Sequence, residues 1–106
     1  MSEHCLVLST VASAEDGERL ARTLVERRMA ACVSVLPGVA SFYRWEGRVE
    51  QSEERLLLIK TRTDRFEELR AILVDLHPYE VPEVLALEVT KGHGPYLSWL
   101  DESVGP

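Results

Sequence analysis

Asparagine is absent from this chain of 106 residues, and Gln51 is its one glutamine. So few amides fit a heat-tolerant source and a codon bias equally well. Lysine is nearly as scarce, appearing only as Lys60 and Lys91. There are two cysteines, Cys5 and Cys32, and their separation fits no zinc-ligand spacing. Both lie inside apolar runs, which reads as buried reduced thiols; a copper(I) or redox use is the other reading. No apolar run reaches the length of a membrane span. The start, Met1-Ser2-Glu3-His4-Cys5, has no basic stretch and no cleavage motif before the first strand-like segment, so a cytoplasmic protein is expected. Basic charge is in deficit: the net charge of -6 argues against nucleic acid or an anionic membrane as the main partner. The catalytic signatures G-x-S-x-G, G-x-G-x-x-G, H-E-x-x-H and the phosphate-binding loop are all missing. No enzyme is expected; His77 as a general acid or base is the weak remaining option, with no nucleophile beside it.

What is present is a balanced globular composition. Hydrophobic residues make up 45% and charged residues 28%, enough for a core and too ordered a mix for a disordered chain. The length suits one domain, residues 1–106. Cys5–Val11 is a short apolar run that reads as a central strand. Ser13 and Asp16 form an approximate capping box, followed by a helix with Leu20, Ala21, Leu24, Val25, Arg28 and Met29 at helical spacing. Gly17 in its first turn costs about 1 kcal/mol relative to alanine. Cys32–Leu36 is a second strand. Pro37-Gly38 interrupts it, which implies a bulge or bend at a sheet edge, and Val39–Trp45 resumes it. Glu46-Gly47 makes a turn, Arg48–Glu54 is polar and extended, and Arg55–Thr61 is a buried strand. Residues 32–62 thus form a hairpin longer than the core requires.

Asp64 with Glu67 suggests a second capping box ahead of a helix striped by Phe66, Leu69, Ile72, Leu73 and Leu76. That helix runs into His77-Pro78-Tyr79-Glu80-Val81-Pro82-Glu83. Each proline there fixes its own φ, removes a donor and pushes the preceding residue out of helical conformation. The segment is therefore a stiff connector carrying an imidazole, a phenol and two carboxylates. Val84–Thr90 is the last strand, and Pro95 opens a short helix with Tyr96, Leu97, Trp99 and Leu100. The order is β-α-β-β-α-β plus a terminal helix: an α+β, ferredoxin-like arrangement with an antiparallel sheet and two helices on one face. Leu56, Leu57, Leu58 and Ile59 are apolar towards both faces, so the uncovered face needs a cover, and a homo-oligomer with sheets packed together supplies it.

The candidate site residues each have two readings. His77 is a copper(II) ligand or the C-cap of its helix. Glu80 is a hard-cation ligand or a solvated loop charge. Lys60 is an anion contact in a cleft, or the partner of a carboxylate such as Glu83. Tyr43 and Trp45 share one strand face, with Arg44 opposite, and line either a pocket or an intersubunit surface. Cys32 is a possible helper to a metal. Glu53-Glu54 reads as a solvated pair, Trp99 as a packing residue, and His4 and His93 as solvated.

Ala30-Ala31-Cys32-Val33, Leu36-Pro37-Gly38, Tyr43-Arg44-Trp45-Glu46-Gly47, Leu58-Ile59-Lys60-Thr61, Leu76 to Glu83 and Tyr96-Leu97-Ser98-Trp99-Leu100 occur together and in order. From about Val7 to Leu100 this pattern closely resembles the CutA family of divalent-cation tolerance proteins. The resemblance implies a homotrimer of ferredoxin-like subunits locked by the long hairpins. It implies handling of copper(II) or other divalent cations, with no organic cofactor expected. It also implies architectural kinship with PII-type signalling trimers, which bind small effectors in intersubunit clefts; Tyr43, Trp45, Lys60 and Glu83 would line such a cleft here. Some relatives bind copper through a histidine at the place of His77, a second just before it and a thiol at the end of the first strand. Here those last two places hold Leu76 and Ser9. The metal set this leaves is His77, with Glu80, Glu83 or Cys32 as helpers.

Overall fold

The computed structural model describes residues 2–105; Met1 and Pro106, the two ends of the expected 1–106 domain, lie outside the described residues. Four strands form one sheet: β1 (His4–Val11), β2 (Cys32–Trp45), β3 (Arg48–Arg62) and β4 (Leu85–Val89). Their order is β2-β3-β1-β4, and every neighbouring pair is antiparallel. Helices α1 (Ala14–Glu26) and α2 (Phe66–Leu76) follow β1 and β3, and α3 (Gly94–Ser103) ends the chain. This is the split β-α-β order that the sequence suggests.

Strand parity explains the layers. Cys5, Val7, Ser9 and Val11 on β1 pair in register with Thr61, Ile59, Leu57 and Arg55 on β3. This face meets the helices: Val7, Val11, Leu57 and Ile59 are fully buried with Leu20 and Leu24 of α1 and Leu69 and Leu73 of α2. Gly17 is what lets α1 settle there. A β-carbon at Gly17 would stand 3.3 Å from Val35 and 3.4 Å from Val11, so the helix gives up some intrinsic stability for close packing. Ser13 caps α1 as expected, its hydroxyl accepting from the Asp16 amide at 3.1 Å. Two outer residues depart from the expected stripe: Val25 and Arg28 are exposed.

The second expected capping box does not form. Asp64 takes the Arg62 guanidinium instead, and a single 3-10 turn, Thr63–Arg65, leads into α2 without a side-chain cap. The hairpin follows the sequence closely. The register slips between Leu36 and Val39, placing a bulge at Pro37-Gly38 on edge strand β2. Glu46 and Gly47 both have positive φ, 49° and 80°, the primed turn that matches strand twist.

The opposite face is met by α3 only at its His4 end, where His4 bonds Asp101; its leucine-rich middle has no helix over it. Leu6 and Leu8 of β1, Leu56 and Leu58 of β3, Leu36 of β2, and Leu85 and Leu87 of β4 share it by register. Leu85 is 57% and Leu87 48% exposed, which marks a contiguous apolar surface rather than scattered residues.

Candidate functional site

The hairpin, the end of β1 and the His77–Glu83 connector meet at one end of this open face. Between them lies a cleft of about 640 Å³, lined in part by Tyr43, Trp45, Glu54, Tyr79, Glu80 and Glu83. Tyr43 and Trp45 reach it because alternate residues of β2 point the same way. The Tyr43 hydroxyl is held by Ser52 across the hairpin at 2.7 Å. A smaller groove of about 470 Å³ runs between α1 and β2, where Glu18 and Arg22 satisfy each other at 3.0 Å.

Glu54 forms the floor of the cleft and is the residue that sequence reasoning missed. It reads as half of a solvated pair, yet it is only 7% exposed. The Tyr79 hydroxyl donates to its Oε2 at 2.5 Å. Burial and this bond to a carboxylate raise the Tyr79 pKa well above the usual phenol range, so the phenol stays protonated and donating. The signal that could have found Glu54 is parity: it shares the face of Leu56, Leu58 and Lys60, whereas Glu53 faces away.

His77 sits behind Tyr79, buried, with ring centroids 4.7 Å apart. Its Nε2 is 2.9 Å from the Thr10 carbonyl, which can only accept, and its Nδ1 is 3.1 Å from the Tyr79 amide, which can only donate. Those partners fix the neutral Nε2–H tautomer. Both ring nitrogens are thereby committed to backbone. Burial lowers the His77 pKa, against a smaller raising effect from the Thr10 carbonyl. The unfolded chain therefore binds this proton more readily than the folded one. His77 contributes stability above its ordinary pKa, and that contribution is lost as pH falls from about 6.5 through the lowered folded value. Thermal melts from pH 8 to 5 should show the midpoint falling below about 6.5, and His77→Gln should flatten that fall while lowering the midpoint at pH 8.

The expected metal set is not gathered. His77 is backbone-bound, Glu80 is at the cleft rim, and Cys32 lies on the open face near Lys60. Among the described residues of one chain, no three His, Cys, Asp or Glu side chains are placed to hold a metal ion together. The cleft brings Tyr43, Trp45 and Glu83 together but leaves out Lys60. Lys60 does not pair with Glu83 either. Its ammonium donates to Ser34 at 2.5 Å and lies 3.6 Å from the Cys32 sulfur, because Cys32 and Lys60 face each other in the β2–β3 register. Both cysteines are free thiols; Cys5 is buried, which raises its pKa, and Cys32 is half-buried. His4 is not solvated: it bonds Asp101 of α3 at 2.9 Å and its side chain is 12% exposed. His93 is exposed, and Trp99, also exposed, lies against Tyr96 at 5.4 Å between ring centroids.

Residues 5–103 match the family described as CutA1 divalent ion tolerance protein. The chain belongs to the CutA1 family. It is 48% identical over 100 residues to the divalent-cation tolerance protein CutA of Thermus thermophilus, covering 94% of this chain and 97% of that one. The crystal structure of CutA from Xylella fastidiosa superposes with a TM-score of 0.95 at 39% identity, over 98% of this chain and 100% of that one. A CutA from Archaeoglobus fulgidus, described as a periplasmic divalent cation tolerance protein, superposes at 0.93 and 36% identity, over 96% and 99%. The four-stranded antiparallel sheet with its helices is therefore the CutA1 fold, and divalent-cation tolerance is the family's province.

Proposed function

We propose that this chain is a non-enzymatic divalent-cation tolerance protein that works as a homotrimer and takes copper(II), or another divalent ion, as cargo through ligands drawn from more than one subunit. The observation that carries this reading is the leucine face, whose Leu85 and Leu87 stay exposed, together with metal donors too dispersed among the described residues of one chain to form a site. Cys32 lies on that face, and Glu80 and Glu83 line the cleft at its end. Assembly through the face would bring donors of neighbouring copies towards one another. Carboxylate oxygens suit hard or borderline divalent ions. The commitment of both His77 nitrogens to backbone supports a positioning role for the imidazole rather than ligation or proton transfer. We place the protein in the cytoplasm, which cell fractionation tests directly. Light scattering at micromolar concentration should give three times the 12.0 kDa chain mass, and calorimetric titration should show saturable copper(II) uptake. A stable monomer, or no uptake, removes the reading.

A second reading rests on the cleft itself. Its volume lies in the range of small-molecule sites, with aromatic walls and convergent polar groups. It fits a signalling trimer of PII type that binds a small effector. A thermal-shift screen with metabolites in the presence of chelator separates this from metal uptake.

A further inference from the structure

The charge in the cleft is one-sided. Glu54, Glu80 and Glu83 line it, and no lysine or arginine does. Glu54 is nine-tenths buried, yet it belongs to no ion pair among the described residues; its one hydrogen bond comes from a neutral phenol to Oε2. A buried carboxylate without a cation is costly, and a single phenol offsets only part of that cost. Tyr43, Trp45 and Tyr79 line the same cleft. Aromatic faces attract cations and have no such attraction for anions. Lys60 is held on Ser34 and does not line the cleft.

We infer that the cleft binds an organic monocation, a primary ammonium or guanidinium on an apolar stem, with the charged head on Glu54 and the stem against Tyr43 and Trp45. The inference rests on the second reading above, that the cleft is a small-molecule site, and specifies its ligand class. An ammonium head carries three donors and no acceptor, which suits the carboxylate oxygen that Tyr79 leaves free. A bare metal ion would need further converging oxygens, and the described residues of one chain do not supply them. An anionic effector would meet three carboxylates. A cationic side chain from a second copy is the competing occupant.

The test uses the assembled protein in chelator, in a Trp99→Phe background that leaves Trp45 as the only tryptophan. Phenethylammonium is titrated against Trp45 fluorescence, beside neutral 2-phenylethanol and anionic phenylacetate. Saturable binding of the ammonium is expected. The alcohol, and the ammonium on Glu54→Gln, should each bind at least about tenfold more weakly, since a charge-assisted hydrogen bond is lost. Tyr43→Ala, on an exposed strand, leaves the Trp45 reporter in place, should lose affinity as well and serves if Glu54→Gln fails to fold. No saturation at millimolar ammonium, equal binding of alcohol and ammonium, or unchanged affinity in either variant would overturn the inference. Preferred binding of phenylacetate would overturn the cationic class and leave the cleft as an effector site. If the ammonium fails while Glu54→Gln dissociates the trimer, a neighbour's side chain fills the cleft and the inference falls. Copper(II) uptake measured separately without chelator shows whether the divalent-cation reading stands or falls independently.

Discussion

Leu58→Glu should reduce the protein from three times 12.0 kDa to a 12.0 kDa monomer at micromolar concentration, with its far-ultraviolet circular dichroism unchanged. Leu58 pairs with Leu8 of β1 and with Ser34 of β2, and so lies in the middle of the open face. In an isolated chain Leu58 is half-buried, so a carboxylate there keeps part of its hydration. In an assembly packed through this face it would be buried beside the same residue of its neighbours. The desolvation penalty of a buried ion is still several kcal/mol after relaxation, and like charges add to it. Sedimentation or light scattering on wild type and variant checks the result. An undiminished trimer would place the interface elsewhere.

One residue earlier, Leu57→Ala should have the opposite character: it should weaken the fold and leave the interface surface intact. Leu57 is fully buried on the helix-side face, paired with Ser9 and Val35, close beneath Gly17 of α1. Truncation of a buried leucine costs about 2–5 kcal/mol, the lost transfer energy plus the cavity left behind. Against a total stability of about 5–15 kcal/mol that is a large fraction. The thermal midpoint should fall by more than about 10 °C for a domain of this size. Wild type and variant must be melted at one protein concentration, because assembly makes the midpoint concentration-dependent. A fall of only a degree or two would mean that this face is not the core.

These two neighbours illustrate what is legible in the sequence. Leu56 to Ile59 reads as apolar on both sides, and with period-two side-chain placement that gives two apolar faces, of which the helices cover one. The bulge at Pro37-Gly38 and the turn at Glu46-Gly47 are equally local, fixed by residues that restrict or extend backbone freedom. The site was harder to read because its bonds are long-range. Tyr79 reaches Glu54 across 25 positions, His77 reaches Thr10 across 67, and His4 reaches Asp101 across 97. Nothing in the spacing of the His77–Glu83 connector says that its imidazole will turn inward to backbone while its phenol turns to a buried carboxylate. Lys60 misled for the converse reason. A lone lysine at the end of an apolar strand invites a carboxylate partner, but the β2–β3 register puts Ser34 and Cys32 beside it first. Asp64, similarly, had an arginine two residues away competing for the carboxylate that a helix cap would use.

The positions of the donors join the two halves of the proposed function. Cys32 on the leucine face and Glu80 and Glu83 at its end are apart in one chain, and we propose that covering that face with another copy makes them neighbours. Calorimetric titration of copper(II) into wild type and into monomeric Leu58→Glu, at equal chain concentration, tests this most directly. Saturable uptake by the trimer and its loss in the folded monomer is the expected result; equal affinity and stoichiometry in both would contradict a metal site built between subunits.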